Sequence, residues 1–132
     1  MNQHDRKGGF IASARAIITM SPETLENFMD GKEQEWREMR FVAEDAGYVS
    51  AKRTQEAIPM SFPLPLEAFQ FEFSKQSNHQ IEVRCNIQTK RERTSASMEA
   101  LSAASMAAFM LKDVCHHIDA GMHVSNVEII KK

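Results

Sequence analysis

Apolar and polar residues alternate strictly in two stretches near the middle of the chain. Phe69, Phe71 and Phe73 are interleaved with Gln70, Glu72 and Ser74, and Ile81, Val83, Cys85 and Ile87 with Glu82, Arg84 and Asn86. A period of two puts every second side chain on one face of a pleated strand, so each run predicts a half-buried strand. Ser77, Asn78 and His79 between them supply turn-forming side chains, and the two strands read as a hairpin. A β-branched run, Arg15–Met20, predicts an earlier strand, and Val127 and Ile129 predict a last one.

The remaining pattern is helical. Ser21, Pro22 and Glu23 place a capping hydroxyl, a preorganised first residue and an acid at the positive end of a short helix that Gly31 stops. From about Trp36 to Ala57, Phe41, Val42, Ala46, Val49 and Ala57 recur in a polar, helix-forming background. Gly47 in that stretch costs about 1 kcal/mol of helix propensity, so it marks either close packing or a break. Pro59, Pro63 and Pro65 exclude a helix through Ile58–Leu66, which is expected to be extended. A long helix is expected over about Ser97–Asp119, started by one of the hydroxyls in Thr94–Ser97 and ended by Gly121. Its first half is alanine-rich and apolar nearly all round, which makes it the central buried helix.

The resulting order is strand, helix, helix, strand, strand, helix, strand. It predicts an α+β sandwich whose antiparallel sheet is covered by helices on one face. Residues 1–14 are expected to form a flexible N-terminal segment and residues 15–132 a single domain, in keeping with a length of 132.

Composition narrows the function classes. With 42% hydrophobic and 26% charged residues the chain has enough apolar surface for a core and is not of the disordered class. A net charge of -2 argues against general affinity for nucleic acid, which calls for a basic domain. The most apolar run, Ala103–Leu111, contains a serine and is about half of the roughly 18 residues a membrane helix requires, so no membrane partner is expected. The polar start Met1–Gly9 lacks the apolar segment of a secretory signal, and a cytoplasmic protein is expected. Cys85 and Cys115 then read as buried, reduced thiols.

No stand-alone motif announces the chemistry: there is no glycine-rich phosphate loop, CxxC or HExxH. His116 and His117 are adjacent and would point about 100° apart on a helix, so they cannot chelate one metal together, and neither metal nor cofactor is expected. Lys90, Arg91 and Arg93 precede hydroxyls at a helix start. That arrangement fits an anion site as well as a solvated hairpin end with an ordinary cap. Asp113 and His116 share a helix face, with Glu99 about four turns earlier. Asp113 follows an apolar stretch and is expected to be partly buried, with Lys52 on the preceding helix as a partner.

Taken in order, these segments resemble the cyclic pyranopterin monophosphate synthase family, also called molybdenum cofactor biosynthesis protein C. Met20–Leu25 resembles the family's helix start after its first strand. Ala46–Thr54 resembles its AGI-x-AAK-x-T run, Ile58–Leu64 its IPLCHPL signature, and Thr94–Leu101 its TGVEMEAL. Lys112–His116 is similar to YDMCK, and Gly121–Met122 follow at the family spacing. The likeness covers roughly residues 15–130. It implies a ferredoxin-like fold with a four-stranded sheet, and an assembly of hexamers, as trimers of dimers, with active sites at subunit contacts. The implied reaction rearranges a cyclised GTP derivative, made by a radical-SAM partner enzyme, into cyclic pyranopterin monophosphate with loss of pyrophosphate. By position, Lys52, Glu99 and Asp113 match the family's catalytic residues, and Met60, Ser61, Phe62, Met98, Glu99 and His116 its substrate-binding ones. The phenylalanines of the hairpin would offer apolar surface for the assembly.

The sequence departs from the family at points that matter. Phe62 stands at the histidine of CHPL, Ser97 at the first glutamate of VEME, and His116 at a lysine. The KGDV segment is unrecognisable around Trp36–Arg40, and the VDVS run and the glycine-serine-lysine tail have no counterpart. A phenylalanine neither carries a proton nor donates to a phosphate. The resemblance therefore implies molybdopterin biosynthesis with a partly altered site. The alternatives are a non-catalytic oligomeric scaffold that binds a nucleotide or a partner protein, or an enzyme acting on a related purine or pterin.

Overall fold

The structure is a computed structural model that describes residues 4–5, 9–57, 66–89 and 96–131. The elements are β1 (His4–Asp5), β2 (Gly9–Thr19), α1 (Pro22–Asp30), α2 (Gln34–Ala57), β3 (Leu66–Ser77), β4 (Gln80–Thr89), α3 (Ser97–Val114) and β5 (His123–Lys131). The four long strands form an antiparallel sheet in the order β5-β2-β4-β3, and two-residue β1 pairs with the start of β2. This is the ferredoxin-like arrangement implied by the resemblance. Among the described residues no helix is long and apolar enough to cross a membrane.

Alternation decides the two faces of the sheet. Ala12, Ala14, Ala16 and Ile18 of β2, and Ile81, Val83, Cys85 and Ile87 of β4, are buried on the helix side. Helix α3 lies on β2, β4 and β5, and α2 packs on α3. The buried face of α3 is made of Ala100, Ala103, Ala104, Ala107, Ala108 and Leu111. Alanine faces alanine across the β2–α3 contact, so helix and sheet approach closely and little room is left for larger side chains. Phe69, Phe71 and Phe73 pack into the same core rather than outward. The hairpin therefore does not provide the apolar outer surface expected of it.

The opposite face of the sheet carries an ionic cluster. Arg15 reaches Glu82 at 3.0 Å and Glu128 at 2.6 Å, Arg84 reaches Glu82 at 3.2 Å, and the Ser13 hydroxyl donates to Asn86 at 2.5 Å. The two carboxylates raise the Arg15 pKa above its ordinary value, chiefly through its hydrogen bond to Glu82. A bulge in β5 brings Glu128 opposite Arg15; Asn126 sits there at φ 51, a left-handed conformation that asparagine tolerates.

Several boundaries differ from the sequence reading. Strand β2 begins at Gly9, not Arg15, so residues 9–14 stand in the sheet. Alanines 12 and 14 carry no β-branched signal, yet they are the residues small enough to seat under α3. Helix α2 runs unbroken through Gly47. Helix α3 is started by Ala96 without a side-chain cap and ends at Val114; a set of turns follows to Gly121. The expected extended segment Ile58–Pro65 lies outside the described residues.

Helix α1 forms as its sequence dictates. The Ser21 hydroxyl accepts the Thr24 amide at 3.2 Å, Pro22 opens the helix, and Gly31 closes it at φ 63 with its amide on the Asn27 carbonyl. Asp119, from the turn after α3, accepts the Ser21 amide at 2.8 Å and ties the two ends of the domain together. That bond, with smaller contributions from Thr24, the Ser21 hydroxyl and Gly121, holds the Asp119 carboxyl below the usual carboxylate range. A carboxyl that titrates lower when folded stabilises the fold fully above its unfolded value near 4 and loses that contribution as pH falls through the folded value. Asp119→Asn is expected to lower the melting temperature by a constant amount from pH 7 to about pH 5, with the gap closing under more acid conditions. A gap independent of pH in thermal melts would show that the charge contributes nothing.

Both thiols are buried, and burial pushes Cys85 up to about 12 and Cys115 up to about 11. Cys115 packs against the Met39 sulfur at 3.6 Å. Protonated and enclosed, neither acts as a nucleophile.

Candidate active site

Helices α2 and α3 run antiparallel. The Ser50 and Ser102 hydroxyls meet at 2.6 Å, Gly47 lies against the Ala103 carbonyl, and Met39 touches Cys115. Ala51 joins Ala96 and Ala100 in one apolar cluster. The last turns of α2 thus lie beside the first turns of α3.

That pairing brings two of the expected catalytic residues to one end of the helix layer. Lys52 is exposed on α2, its ammonium 5.6 Å from the centre of the Tyr48 ring. Glu99, in the first turn of α3, is only 3% exposed, and Met98 beside it is open to solvent. Ser97 is the first residue of the helix. This end therefore combines a cation with a carboxylate drawn out of bulk water.

Asp113 and His116 stand at the other end, one in the last turn of α3 and one just beyond it. Both are exposed, and the His116 amide donates to the Asp113 carbonyl at 3.2 Å. Asp113 is therefore not partly buried, and Lys52 is not its partner. Glu99 and Asp113 are fourteen positions apart on one helix, so their backbones lie about 21 Å apart along the axis. A small substrate cannot touch both within one chain.

Beside the Asp113 end, α1 and α2 enclose an open cleft of about 430 Å³, lined in part by Phe28, Trp36, Arg37, Arg40, Phe41 and Glu44. Its location follows from the core, where Trp36 and Met39 pack with Leu111 and Cys115. The Arg40 guanidinium lies 4.5 Å from the centre of the Phe73 ring and bonds Glu44 at 3.2 Å. Arg37 donates to the carbonyls of Gly31 and Lys32 at 2.8 and 2.6 Å. Sequence reasoning did not single out either arginine. The available signal was the loss of KGDV at Trp36–Arg40, which put new cationic and aromatic side chains at this end.

Met60, Ser61 and Phe62, and the basic residues Lys90, Arg91 and Arg93, lie outside the described residues. Among the described residues no three His, Cys, Asp or Glu side chains converge as metal ligands.

A MoaC family model matches residues 4–132. The cyclic pyranopterin monophosphate synthase of Peptoclostridium acidaminophilum is 37% identical over 121 residues, covering 92% of this chain and 75% of its own length. Proteins of the same name from Thermomicrobium roseum and Desulforamulus reducens are 34% and 32% identical, each over 92% of this chain and 73% of their own. The match extends over both ends of the helix layer, the Lys52–Glu99 end and the Asp113–His116 end alike, and the chain belongs to the MoaC family.

Proposed function

We propose that this chain is a cyclic pyranopterin monophosphate synthase of molybdenum cofactor biosynthesis, a cytoplasmic single-domain lyase. It converts the cyclised GTP derivative to cyclic pyranopterin monophosphate with release of pyrophosphate, and it works as a homo-hexamer. The observation that carries this reading is the separation of the family's functional positions on α3. Glu99 and Asp113 lie too far apart to serve one substrate in a single chain, whereas two subunits, each contributing a different end, bring them together. Val42 and Val49 of α2 and Met106 and Phe109 of α3 are exposed apolar side chains on the helix layer and supply surface for such a contact.

In this site Lys52 neutralises the triphosphate, whose two outer phosphates leave as pyrophosphate while the innermost stays in the cyclic monophosphate, because a fixed cation stabilises the charge that develops on the leaving group. Glu99 from one subunit and Asp113 from another move protons during the rearrangement. Met98 and His116, with Met60, Ser61 and Phe62, line the substrate. The hydroxyl at 97, the imidazole at 116 and the phenyl ring at 62 replace family groups, so this pocket has one carboxylate and one ammonium fewer than the family pattern.

The test is incubation of the purified protein with the cyclised GTP derivative, beside a family enzyme with an unaltered site. Formation of both cyclic pyranopterin monophosphate and pyrophosphate above a protein-free control is expected. Failure to form either, with the reference enzyme active, would overturn the assignment.

A further inference from the structure

Tyr48 lies one turn before Lys52 on α2, where the AGI-x-AAK pattern of the family has isoleucine. The Lys52 ammonium stands 5.6 Å from the Tyr48 ring centre, within the reach of about 6 Å over which an aromatic face attracts a cation. No carboxylate among the described residues pairs with Lys52. The ring itself is fixed from behind. It meets Phe69 of β3 edge-on, with centroids 4.9 Å apart and planes at 70°, and Phe69 leans on Phe71 at 6.2 Å. Phe71 in turn closes on the bare backbone of Gly47. A packed aromatic series therefore runs from the α2–α3 contact to an exposed ammonium.

We infer that Tyr48 is a positioning residue, which holds the Lys52 ammonium in place for an anionic phosphate group. This rests on the reading of Lys52 as the triphosphate cation. Lysine carries its charge on a flexible four-carbon stem, and an anion that binds it must immobilise the stem. A ring that already holds the ammonium removes part of that entropic cost before the ligand arrives. The ring face leaves the N–H donors on the far side of the ammonium open to phosphate oxygens, whereas a carboxylate partner would compete for them. Tyrosine here also retains the apolar contact with the hairpin that isoleucine would make.

The experiment is a calorimetric titration of inorganic pyrophosphate into wild type, Tyr48→Leu, Tyr48→Phe and Lys52→Met at one ionic strength. It is paired with NMR of protein carrying labelled lysine. Tyr48→Leu is expected to weaken pyrophosphate binding about two- to five-fold, the range for cation–π contacts at exposed sites, and Tyr48→Phe to restore it. The Lys52 ε-protons are expected to be shifted upfield by the ring current in wild type and Tyr48→Phe, and to lose that shift in Tyr48→Leu. A merely structural role for Tyr48 would change the melting temperature without this signature. If Lys52→Met weakens binding while Tyr48→Leu binds like wild type, the positioning role is overturned and Lys52 keeps its own. If Lys52→Met binds like wild type, or wild type does not bind pyrophosphate, the reading of Lys52 falls and the role of Tyr48 falls with it. An unshifted Lys52 signal in wild type overturns the contact directly.

Discussion

Glu99→Gln and Asp113→Asn are each expected to lower turnover by about two to four orders of magnitude, the range for loss of a proton-transferring carboxylate. Co-expressed in equal amounts, the two inactive variants are expected to recover about a quarter of wild-type activity, because subunits of the proposed closed oligomer would mix. The recovery follows from the geometry of α3. Glu99 is in its first turn and Asp113 in its last, so the proposed shared site would take one residue from each of two subunits. Half of the Glu99 positions and half of the Asp113 positions are then intact, and the two halves combine independently. Both substitutions preserve shape and remove only the charge, and Glu99→Gln keeps a polar group at a buried position. Melting temperatures within a few degrees of wild type would exclude unfolding as the cause. If activity in the mixture stays at the level of the separate variants, the two carboxylates do not meet across subunits.

Gly47→Ala is expected to destabilise the fold by about 1–3 kcal/mol, although alanine is the better helix former by about 1 kcal/mol. A Cβ at this position would lie 2.7 Å from the Ala103 carbonyl oxygen and 2.7 Å from Cζ of Phe71. The phenyl ring has some freedom to turn aside. The carbonyl belongs to the buried helix α3 and moves only if the helices separate, which loosens the alanine contact beneath. The loss corresponds to roughly 3–5 °C in melting temperature per kcal/mol for a chain of this size. Gly47→Leu is expected to cost more. A melting temperature equal to or above wild type in Gly47→Ala would mean that the α2–α3 contact relaxes freely, with propensity then the larger effect.

Local signals carried much of the fold. Period-two alternation identified β3 and β4 with their turn, and Ser21, Pro22 and Gly31 bounded α1 to the residue, because these patterns encode backbone geometry within a few positions. The errors arose where burial by distant residues decided the outcome. Ala12 and Ala14 look indifferent in isolation but are strand residues beneath α3. Residues 115–119 keep helical composition, but the chain leaves the helix and Asp119 serves the start of α1 instead.

The candidate site divides along the same line. Motif order and spacing were enough to select Lys52, Glu99 and Asp113 and to point to the family, since the pattern of residue types survives along the chain without coordinates. The chain alone did not say that Asp113 is exposed while Glu99 is buried, that Lys52 rests on Tyr48, or that Trp36, Arg37 and Arg40 line a cleft near the Asp113 end. Those relations depend on how two antiparallel helices register against each other and against the sheet. That register is set by close packing at Gly47, Ser50 and the alanine face of α3. Sequence therefore determined which elements form and which residue types they carry; the tertiary structure decided which of those residues meet. Secondary structure follows from interactions a few residues apart, whereas a site is assembled by contacts between segments far apart in the chain.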